Sequence, residues 1–343
     1  MQRWLILLLT LLLGSCTREP LYQSQSYVFG TLVDISIYGE SEEHARALAS
    51  HVEQDFQRLH LQLHAWKPGG ELYKLNAAFE QGKKMLVSPE LADILVDATQ
   101  LSERSGGLFN PAIGGLINVW GFQRDEFTPV SPDPQQLDAL VKAAPRMSDI
   151  VVENGEAYSR NPSVKVDLGG YAKGYALDRA AAYLRSEKVH GALINIGGNI
   201  IALGAHGEKP WRVGIQHPRK PGPMATLDLP DGWAIGTSGD YQRYFELDGK
   251  RYCHLIDPRN GYPVQGMQAV TILVPPGAHA GTLSDVASKP VFIAGADGWR
   301  QAASRIGAGD VLVVDGRGHL HMTQAMQQQL KLVDKNVPLE VLP

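Results

Sequence analysis

One stretch of the chain decides how the rest is interpreted: Val166-Asp167-Leu168-Gly169-Gly170-Tyr171-Ala172-Lys173-Gly174-Tyr175. Its apolar start predicts a strand over 164–168, and the apolar spacing that follows predicts a helix over 171–187. The paired glycines let a ligand approach the backbone closely, and a helix N-terminus offers unpaired N–H groups to an anion. Lys173 adds a positive charge in the first helical turn. The pattern favours a site for a phosphate-bearing nucleotide, with close packing alone as the alternative.

The spacing of these glycines matches neither the G-x-G-x-x-G pattern of dinucleotide-binding folds nor the P-loop. A classical Rossmann site is therefore not supported.

Elements predicted outward from this stretch alternate between helices and short strands, without an internal repeat or a long linker of biased composition. The sequence predicts one α+β unit over 27–343, with a mostly antiparallel sheet flanked by helices. The predicted helices cover 42–63, 89–105, 135–143 and 279–293; the predicted strands cover 27–38, 192–196, 211–217, 224–229, 233–237 and 269–274, with hairpins over 243–256 and 311–323.

Composition describes a compact chain and excludes several classes of function. Of the 343 residues, 44% are hydrophobic and 20% are charged, which argues against disorder. The chain has 32 Lys and Arg residues and 36 Asp and Glu residues, so it carries no excess of positive charge that would attract a nucleic acid. No nucleic-acid partner is therefore expected. The two cysteines are far apart, which excludes iron–sulfur centres and cysteine-ligated zinc.

The N-terminal sequence has the pattern of an export signal. Arg3 precedes an apolar run that is too short to span a bilayer, so residues 1–15 are predicted to be a cleavable signal peptide. The sequence Leu13-Gly14-Ser15-Cys16 is similar to a bacterial lipobox, which predicts lipidation of Cys16. The alternative is an ordinary signal peptide with a coincidental cysteine. Residues 16–26 are predicted to be a polar tether, and Cys253 a free thiol.

Two further motifs carry candidate chemistry. Thr237 and Ser238 are hydroxyls flanked by glycines, which are natural contacts for a phosphate or a cofactor. His254 alternates with apolar neighbours, a setting that favours a core histidine over a catalyst. Asp285 and Lys289 are four residues apart and share one helix face, where they either pair with each other or face a ligand. His60 and His64 have metal-ligand spacing but lack the glutamate of a zincin motif, which favours a solvated helix face.

Taken in order, these blocks resemble the ApbE-type FAD:protein FMN transferases, which are periplasmic flavin-handling lipoproteins. The resemblance covers about 27–295. Besides the stretch quoted first, it rests on these runs: Gly107-Leu108-Phe109-Asn110-Pro111 continuing to 114–122, Thr237-Ser238-Gly239-Asp240-Tyr241, His254-Leu255-Ile256-Asp257-Pro258-Arg259-Asn260-Gly261 and Asp285-Val286-Ala287-Ser288-Lys289-Pro290.

The resemblance implies a T-fold-like domain in which FAD is a substrate and Mg²⁺ bridges its diphosphate to the protein. The family transfers FMN through its phosphate to a Thr or Ser hydroxyl of a redox-pump subunit or a related periplasmic flavoprotein, and AMP is released. Some relatives instead hydrolyse FAD to FMN and AMP. The implied location is the periplasmic side of a membrane, with the inner membrane favoured, through a lipid anchor such as palmitate.

The resemblance also assigns roles to single residues. The implied catalytic residues are His254, Asp285 and Lys289, and the implied metal ligands are Gly170 through its carbonyl, Asp285 and Ser288. The expected contacts with the flavin nucleotide are Phe29, Trp66, Leu108, Phe109, Asn110, Asp167, Gly170, Lys173, Thr237, Ser238 and the backbone of Ile256.

Three departures from the family pattern affect the metal. Lys289 stands where the family usually has Thr, Asn110 replaces the usual Asp, and Ser288 stands where some members carry a further Asp. A protonated lysine has no lone pair with which to ligate Mg²⁺. The sequence therefore predicts weakened or absent metal binding, with Lys289 supplying part of the charge compensation. Two other functions stay open: an FAD-storing lipoprotein with little catalysis, and an FAD pyrophosphatase.

Overall fold

The computed structural model describes residues 20–124 and 126–342. The predicted signal peptide over 1–15 and the predicted lipidation site Cys16 lie outside these residues. Among the residues described, no helix has the length and apolar character needed to cross a bilayer.

Most of the predicted helices and strands are present, together with helices and strands that the sequence analysis did not predict. The helices are α1 (Glu42–Gln62), α2 (Glu71–Glu80), α3 (Pro89–Arg104), α4 (Gly114–Val119), α5 (Pro134–Ala143), α6 (Ala172–Ser186), α7 (Ala280–Ile306) and α8 (Gln324–Gln329). The strands are β1 (Leu21–Val28), β2 (Thr31–Tyr38), β3 (Met85–Leu86), β4 (Ile150–Glu153), β5 (Glu156–Ser159), β6 (Gly191–Ile196), β7 (Asn199–Gly204), β8 (Trp211–Gln216), β9 (Pro223–Leu229), β10 (Ala234–Gly239), β11 (Tyr244–Leu247), β12 (Lys250–Cys253), β13 (Met267–Val274), β14 (Asp310–Asp315), β15 (Leu320–Thr323), β16 (Leu330–Leu332) and β17 (Leu339–Leu342).

The main sheet of the described chain has nine strands in the order β1-β2-β6-β7-β10-β13-β14-β15-β17. Its neighbours pair antiparallel, except for the parallel pair β15 and β17. Smaller sheets are formed by β16-β9-β8, by β3-β5-β4 and by the hairpin β11-β12. The predicted α+β class with a mostly antiparallel sheet is confirmed.

Strand β13 shows that both faces of the main sheet are covered. All eight of its residues are buried. Because side chains alternate across a strand, Val270 and Ile272 pack into the core beneath the helices, whereas Ala269 and Leu273 pack against β8 and β9. A third apolar cluster lies under α4, α5 and the β11-β12 hairpin. Strand β13 is therefore covered on both faces, and its sequence does not alternate between apolar and polar residues.

The chemistry of the helix ends explains where the predicted helices begin. The Ser88 hydroxyl accepts the Leu91 N–H at 3.2 Å and Pro89 is the first residue of α3, as predicted. Helix α7 starts where the Asp178 carboxylate of α6 accepts the N–H groups of Gly281 and Thr282, at 2.7 and 2.8 Å. This contact ties the two helices that carry the candidate site to each other.

Four predicted elements differ from the structure. The helix predicted over 279–293 continues to Ile306, with a φ of 73° at Gly295 inside it. The part of the predicted tether over 21–26 belongs to strand β1, which pairs along its length with β2. The single strand predicted over 27–38 is instead the end of β1, a two-residue turn at Phe29 and Gly30, and β2. The predicted strand over 164–168 is an extended segment outside any sheet, with one isolated bridge between Ile113 and Lys165.

Candidate functional site

A cavity of about 490 Å³ opens beside the start of α6. This volume is within the range of pockets that bind small molecules and cofactors. Most predicted site residues line it: Phe29, Trp66, Leu108, Phe109, Asn110, Asp167, Gly170, Lys173, Thr237, Ser238, His254, Ile256 and Lys289. Asp285 and Ser288 do not line the cavity and are fully buried. The structure thus gathers residues that are up to 260 positions apart in sequence, counting from Phe29 to Lys289.

The glycine elbow, residues 169–170, connects an extended segment to α6. The Asn76 side chain holds that segment by bonding the N–H and the carbonyl of Val166, each at 2.8 Å. At the elbow, the Gly169 N–H donates to the Asp167 carboxylate at 2.8 Å. At the start of α6, the Ala172 N–H donates to the Leu168 carbonyl at 2.8 Å and the Gly174 N–H donates to Asp285 at 3.0 Å, which leaves the Lys173 N–H of the first turn for a ligand. The elbow therefore presents a helix N-terminus to the cavity.

Aromatic side chains form one wall of the cavity. The Trp66 indole N–H donates to the Asp167 carboxylate at 2.7 Å, and the Lys165 ammonium lies 4.4 Å from the centre of the Trp66 ring. Phe29 adopts a φ of 56°, which is uncommon for a residue other than glycine, at the β1–β2 turn. Its ring packs 6.0 Å from that of Phe56. Such walls suit a planar ring system.

Lys173, Asp285 and Lys289 form the lysine–aspartate cluster. The Lys289 ammonium donates to Asp285 Oδ1 and to the Asp285 carbonyl, the latter at 2.6 Å. Lys173 Nζ lies 3.8 Å from the same Oδ1. The Gly174 N–H donates to Oδ2 at 3.0 Å, and the Asn199 amide to Oδ1 at 3.3 Å. The buried carboxylate is thus surrounded by donors.

The charged groups of this cluster shift one another's pKa values. Burial alone would raise the pKa of Asp285, but the ammonium groups of Lys173 and Lys289 together hold it below its ordinary value. Burial lowers the pKa of Lys289 to about 8, although the Asp285 charge opposes this shift. At neutral pH the cluster therefore holds an ionised Asp285 carboxylate and a protonated Lys289.

The hydroxyl groups near the cluster already have partners. The Ser288 hydroxyl donates to the Asp285 carbonyl and contacts the Ser238 hydroxyl, both at 2.7 Å. The Thr237 hydroxyl contacts that of Thr271 at 3.0 Å. Ser288 therefore packs as a buried link between α7 and β10, and does not point into the cavity as an open ligand.

His254 faces the cavity beyond the end of β12. Its Nδ1 lies 3.3 Å from the Arg243 carbonyl, which only accepts hydrogen bonds, so Nδ1 carries the proton and Nε2 keeps its lone pair. Burial, reinforced by the positive charges of Arg243, Lys173 and Lys289, lowers the pKa of His254 to about 3. The imidazole is neutral at physiological pH and can accept a proton at Nε2.

Asn110 lies in the cavity wall, but its side chain stabilises a loop. Its amide donates to the Pro145 carbonyl at 2.8 Å, and its oxygen accepts the Ala112 N–H at 3.1 Å. The predicted contact between this side chain and a nucleotide therefore competes with two internal hydrogen bonds.

Sequence reasoning missed several residues of the site. His60 and His64, interpreted as a solvated helix face, line the cavity instead, as do Gln242 and Arg243. Asn199, which contacts Asp285, had no distinguishing motif. The glycine pair that precedes it, Gly197-Gly198, was the one signal that marked this β6–β7 turn.

The residues present do not fit the Mg²⁺ ion that the family implies. Magnesium requires oxygen ligands in a near-octahedral arrangement. The Lys289 ammonium occupies the Asp285 carboxylate and has no lone pair, and the Ser288 hydroxyl is bonded elsewhere. Across residues 20–124 and 126–342, no three His, Cys, Asp or Glu side chains are grouped so that they could hold a metal.

A cleft of this size, with ammonium groups beside a helix N-terminus, defines a protein that can bind an anionic ligand of nucleotide size. The sequence model of the ApbE family matches residues 29–312. The chain therefore belongs to the ApbE family.

Individual relatives agree with this assignment. The chain is 39% identical over 319 residues to a FAD:protein FMN transferase of Rhodobacter capsulatus, covering 92% of this chain but 59% of that protein's length. It is 33% identical over 259 residues to one of Klebsiella pneumoniae, covering 73% of each. The crystal structure of the ApbE protein of Thermotoga maritima superimposes with a TM-score of 0.81 at 27% identity, covering 90% of this chain and 99% of that one.

Proposed function

We propose that this chain transfers FMN from FAD to a Thr or Ser hydroxyl of an acceptor flavoprotein and releases AMP. The observation that carries the proposal is the lysine–aspartate cluster beside the glycine elbow, inside a cavity of about 490 Å³ with an aromatic wall. Relatives of this chain are named for the same transfer from FAD to protein.

The reaction exchanges one bond at the phosphorus of the FMN half. The acceptor oxygen attacks that phosphorus and forms a phosphoester, and the bond from the same phosphorus to the bridging oxygen breaks. AMP leaves with the bridging oxygen, and the hydroxyl proton passes to a base. Phosphoryl transfer of this type depends on positioning and on neutralising charge.

The chain's own groups supply both requirements. The ammonium groups of Lys173 and Lys289, together with the N-terminus of α6, face the diphosphate and offset its charge. Trp66, fixed by Asp167, and Phe29 hold the isoalloxazine ring by stacking.

His254 is the base in this scheme. Its Nε2 lone pair is available because Nδ1 is bonded to the Arg243 carbonyl. Burial is the main cause of its lowered pKa and the surrounding cations lower the pKa further; a bound diphosphate offsets the charges of those cations. FAD binding therefore raises the pKa of His254 and makes it a stronger base when an acceptor hydroxyl arrives.

Incubation of the protein with FAD and a candidate acceptor tests the proposal. A flavinylated acceptor together with AMP supports it. AMP with free FMN indicates a pyrophosphatase instead, and bound FAD with no product indicates storage.

Lys173→Met is expected to bind FAD about 10- to 100-fold more weakly, the loss typical of a charge-assisted hydrogen bond. Lys83→Met, at an exposed position outside the cavity wall, is the matched control.

The N-terminal sequence supports a proposal about the cellular location. We propose that Cys16 is lipidated and holds the domain on the periplasmic side of the inner membrane, where a redox-pump subunit or a related flavoprotein is the acceptor. Leu13-Gly14-Ser15-Cys16 supports this proposal. Labelled palmitate incorporated by the wild type and not by Cys16→Ser is the expected result; equal labelling of both contradicts it.

A further inference from the structure

Hydrogen-bond donors already surround the Asp285 carboxylate. It is fully buried and accepts hydrogen bonds from Lys289, Asn199 and Gly174, while Lys173 Nζ stands 3.8 Å from Oδ1. A carboxylate has about four lone-pair directions, so these donors nearly saturate it. A metal ion would have to displace the Lys289 ammonium to bind Oδ1.

The Lys289 ammonium has one N–H left for a ligand. Of its three donors, one bonds Asp285 Oδ1 and one bonds the Asp285 carbonyl. The side chain is 12% exposed and lines the cavity, so its open side faces the ligand space. Its stem lies on the glycine elbow, because a Cβ atom added to Gly170 would come within 3.2 Å of Lys289 Cε.

The charges of the cluster leave a positive excess. Two ammonium groups, on Lys173 and Lys289, face one carboxylate, on Asp285, which leaves one net positive charge. Asp285 therefore orients the ammonium groups without neutralising both. A divalent cation placed here would be repelled by both lysines, whereas a diphosphate would be attracted by them.

We propose that the Lys289 ammonium takes the place of a divalent metal ion against the diphosphate of FAD. In this site the side chain, held in position by Asp285 and seated on the glycine elbow, donates its remaining N–H to a diphosphate oxygen. Lys173 adds the second positive charge from the first turn of α6. The identity of the ligand rests on the proposed function; the replacement of the metal rests on the cluster itself.

Binding is measured first, separately from transfer. The wild-type protein is expected to bind FAD with equal affinity in EDTA and in millimolar Mg²⁺, and titration calorimetry with Mg²⁺ alone is expected to show no binding. FAD binding that is lost in EDTA and restored by Mg²⁺ would overturn the proposal. So would saturable binding of Mg²⁺ to the FAD-free protein.

Two variants of Lys289 separate charge from metal ligation. Lys289→Met keeps an unbranched stem without the charge, and is expected to bind FAD about 10- to 100-fold more weakly with no rescue by Mg²⁺. Lys289→Thr supplies a hydroxyl oxygen and frees the carboxylate, and is expected to lose affinity in EDTA and regain it in Mg²⁺. Unchanged FAD affinity in both variants contradicts the proposal.

Transfer is then assayed under the same two conditions, with Lys83→Met as the control for expression and folding. A wild type that binds FAD equally in both conditions but flavinylates no acceptor leaves the metal replacement standing and contradicts the proposed function. A wild type that flavinylates the acceptor only with Mg²⁺, while Lys83→Met behaves alike, contradicts the metal replacement and leaves the proposed function standing.

Discussion

His254 illustrates how its neighbours set the protonation state of a single residue. Its pKa is lowered to about 3, mainly by burial and further by the charges of Arg243, Lys173 and Lys289. In the unfolded chain a histidine titrates near 6.5. Between these two values the unfolded state binds a proton that the native state does not bind. The neutral imidazole therefore costs no stability above pH 6.5, and stability is lost as the pH falls from 6.5 toward 3.

This linkage predicts a specific difference between wild type and His254→Gln. On lowering the pH from 7 to 5, the free energy of unfolding should fall by about 1–2 kcal/mol more in the wild type than in the variant. Urea unfolding of the FAD-free proteins at both pH values measures this difference. Equal losses in the two proteins would show that His254 titrates normally in the native state.

At the scale of elements, the pair α6 and α7 builds the charged cluster, because α6 carries Lys173 and α7 carries Asp285 and Lys289. The helices approach closely at Gly174. A Cβ atom there would lie 2.4 Å from the Gly281 carbonyl oxygen and 2.8 Å from Asp285 Cβ. The glycine is therefore needed for the distance between the helices, and through it for the geometry of the site.

Gly174→Ala is expected to destabilise the fold by about 2–4 kcal/mol, because the clash involves backbone that cannot move aside. Thermal unfolding measures the effect as a lower Tm. Gly277→Ala is the matched control, since its added methyl group meets no atom within 4 Å. A Tm of Gly174→Ala equal to that of Gly277→Ala would contradict this account of the helix pair.

Elements with a buried apolar face could be predicted from sequence, and edge or irregular segments could not. Helix α1 was predictable because Ala45, Leu48, Val52 and Phe56 repeat at helical spacing and are buried. Strand β1 is an edge strand whose inner residues are only half buried, so its run of Gln and Ser looks like a tether. Residues 164–168 have a strand-like composition, but the Asn76 side chain replaces a neighbouring strand as the partner of Val166.

The same limit applies to the site. Motifs located Lys173, His254, Asp285 and Lys289, since each stands in a distinctive local pattern. Patterns along the chain do not report contacts across it, so the Asn199 amide beside Asp285 could not be anticipated. His60 was misjudged for a related reason: the helix face it lies on is covered by the β1–β2 turn, where Phe29 packs edge-on against it at 5.6 Å.

At the scale of the whole molecule, the cavity wall is drawn from segments spread from Phe29 to Lys289. A ligand that fills it therefore bridges parts of the fold that are distant in sequence. FAD at 100 times its Kd should raise the free energy of unfolding by about 2.7 kcal/mol. Riboflavin, which lacks the diphosphate, should stabilise less at the same concentration. Thermal unfolding with each ligand measures this, and equal shifts would contradict a role for the lysines.

A crystal structure of the protein with FAD, grown in the presence of EDTA, tests most directly whether Lys289 binds the diphosphate without a metal ion. We expect the diphosphate to lie against the glycine elbow with a diphosphate oxygen within hydrogen-bond distance of Lys289 Nζ, and the isoalloxazine ring to contact Trp66. A diphosphate bound elsewhere in the cavity, with Lys289 still turned only toward Asp285, would contradict this expectation.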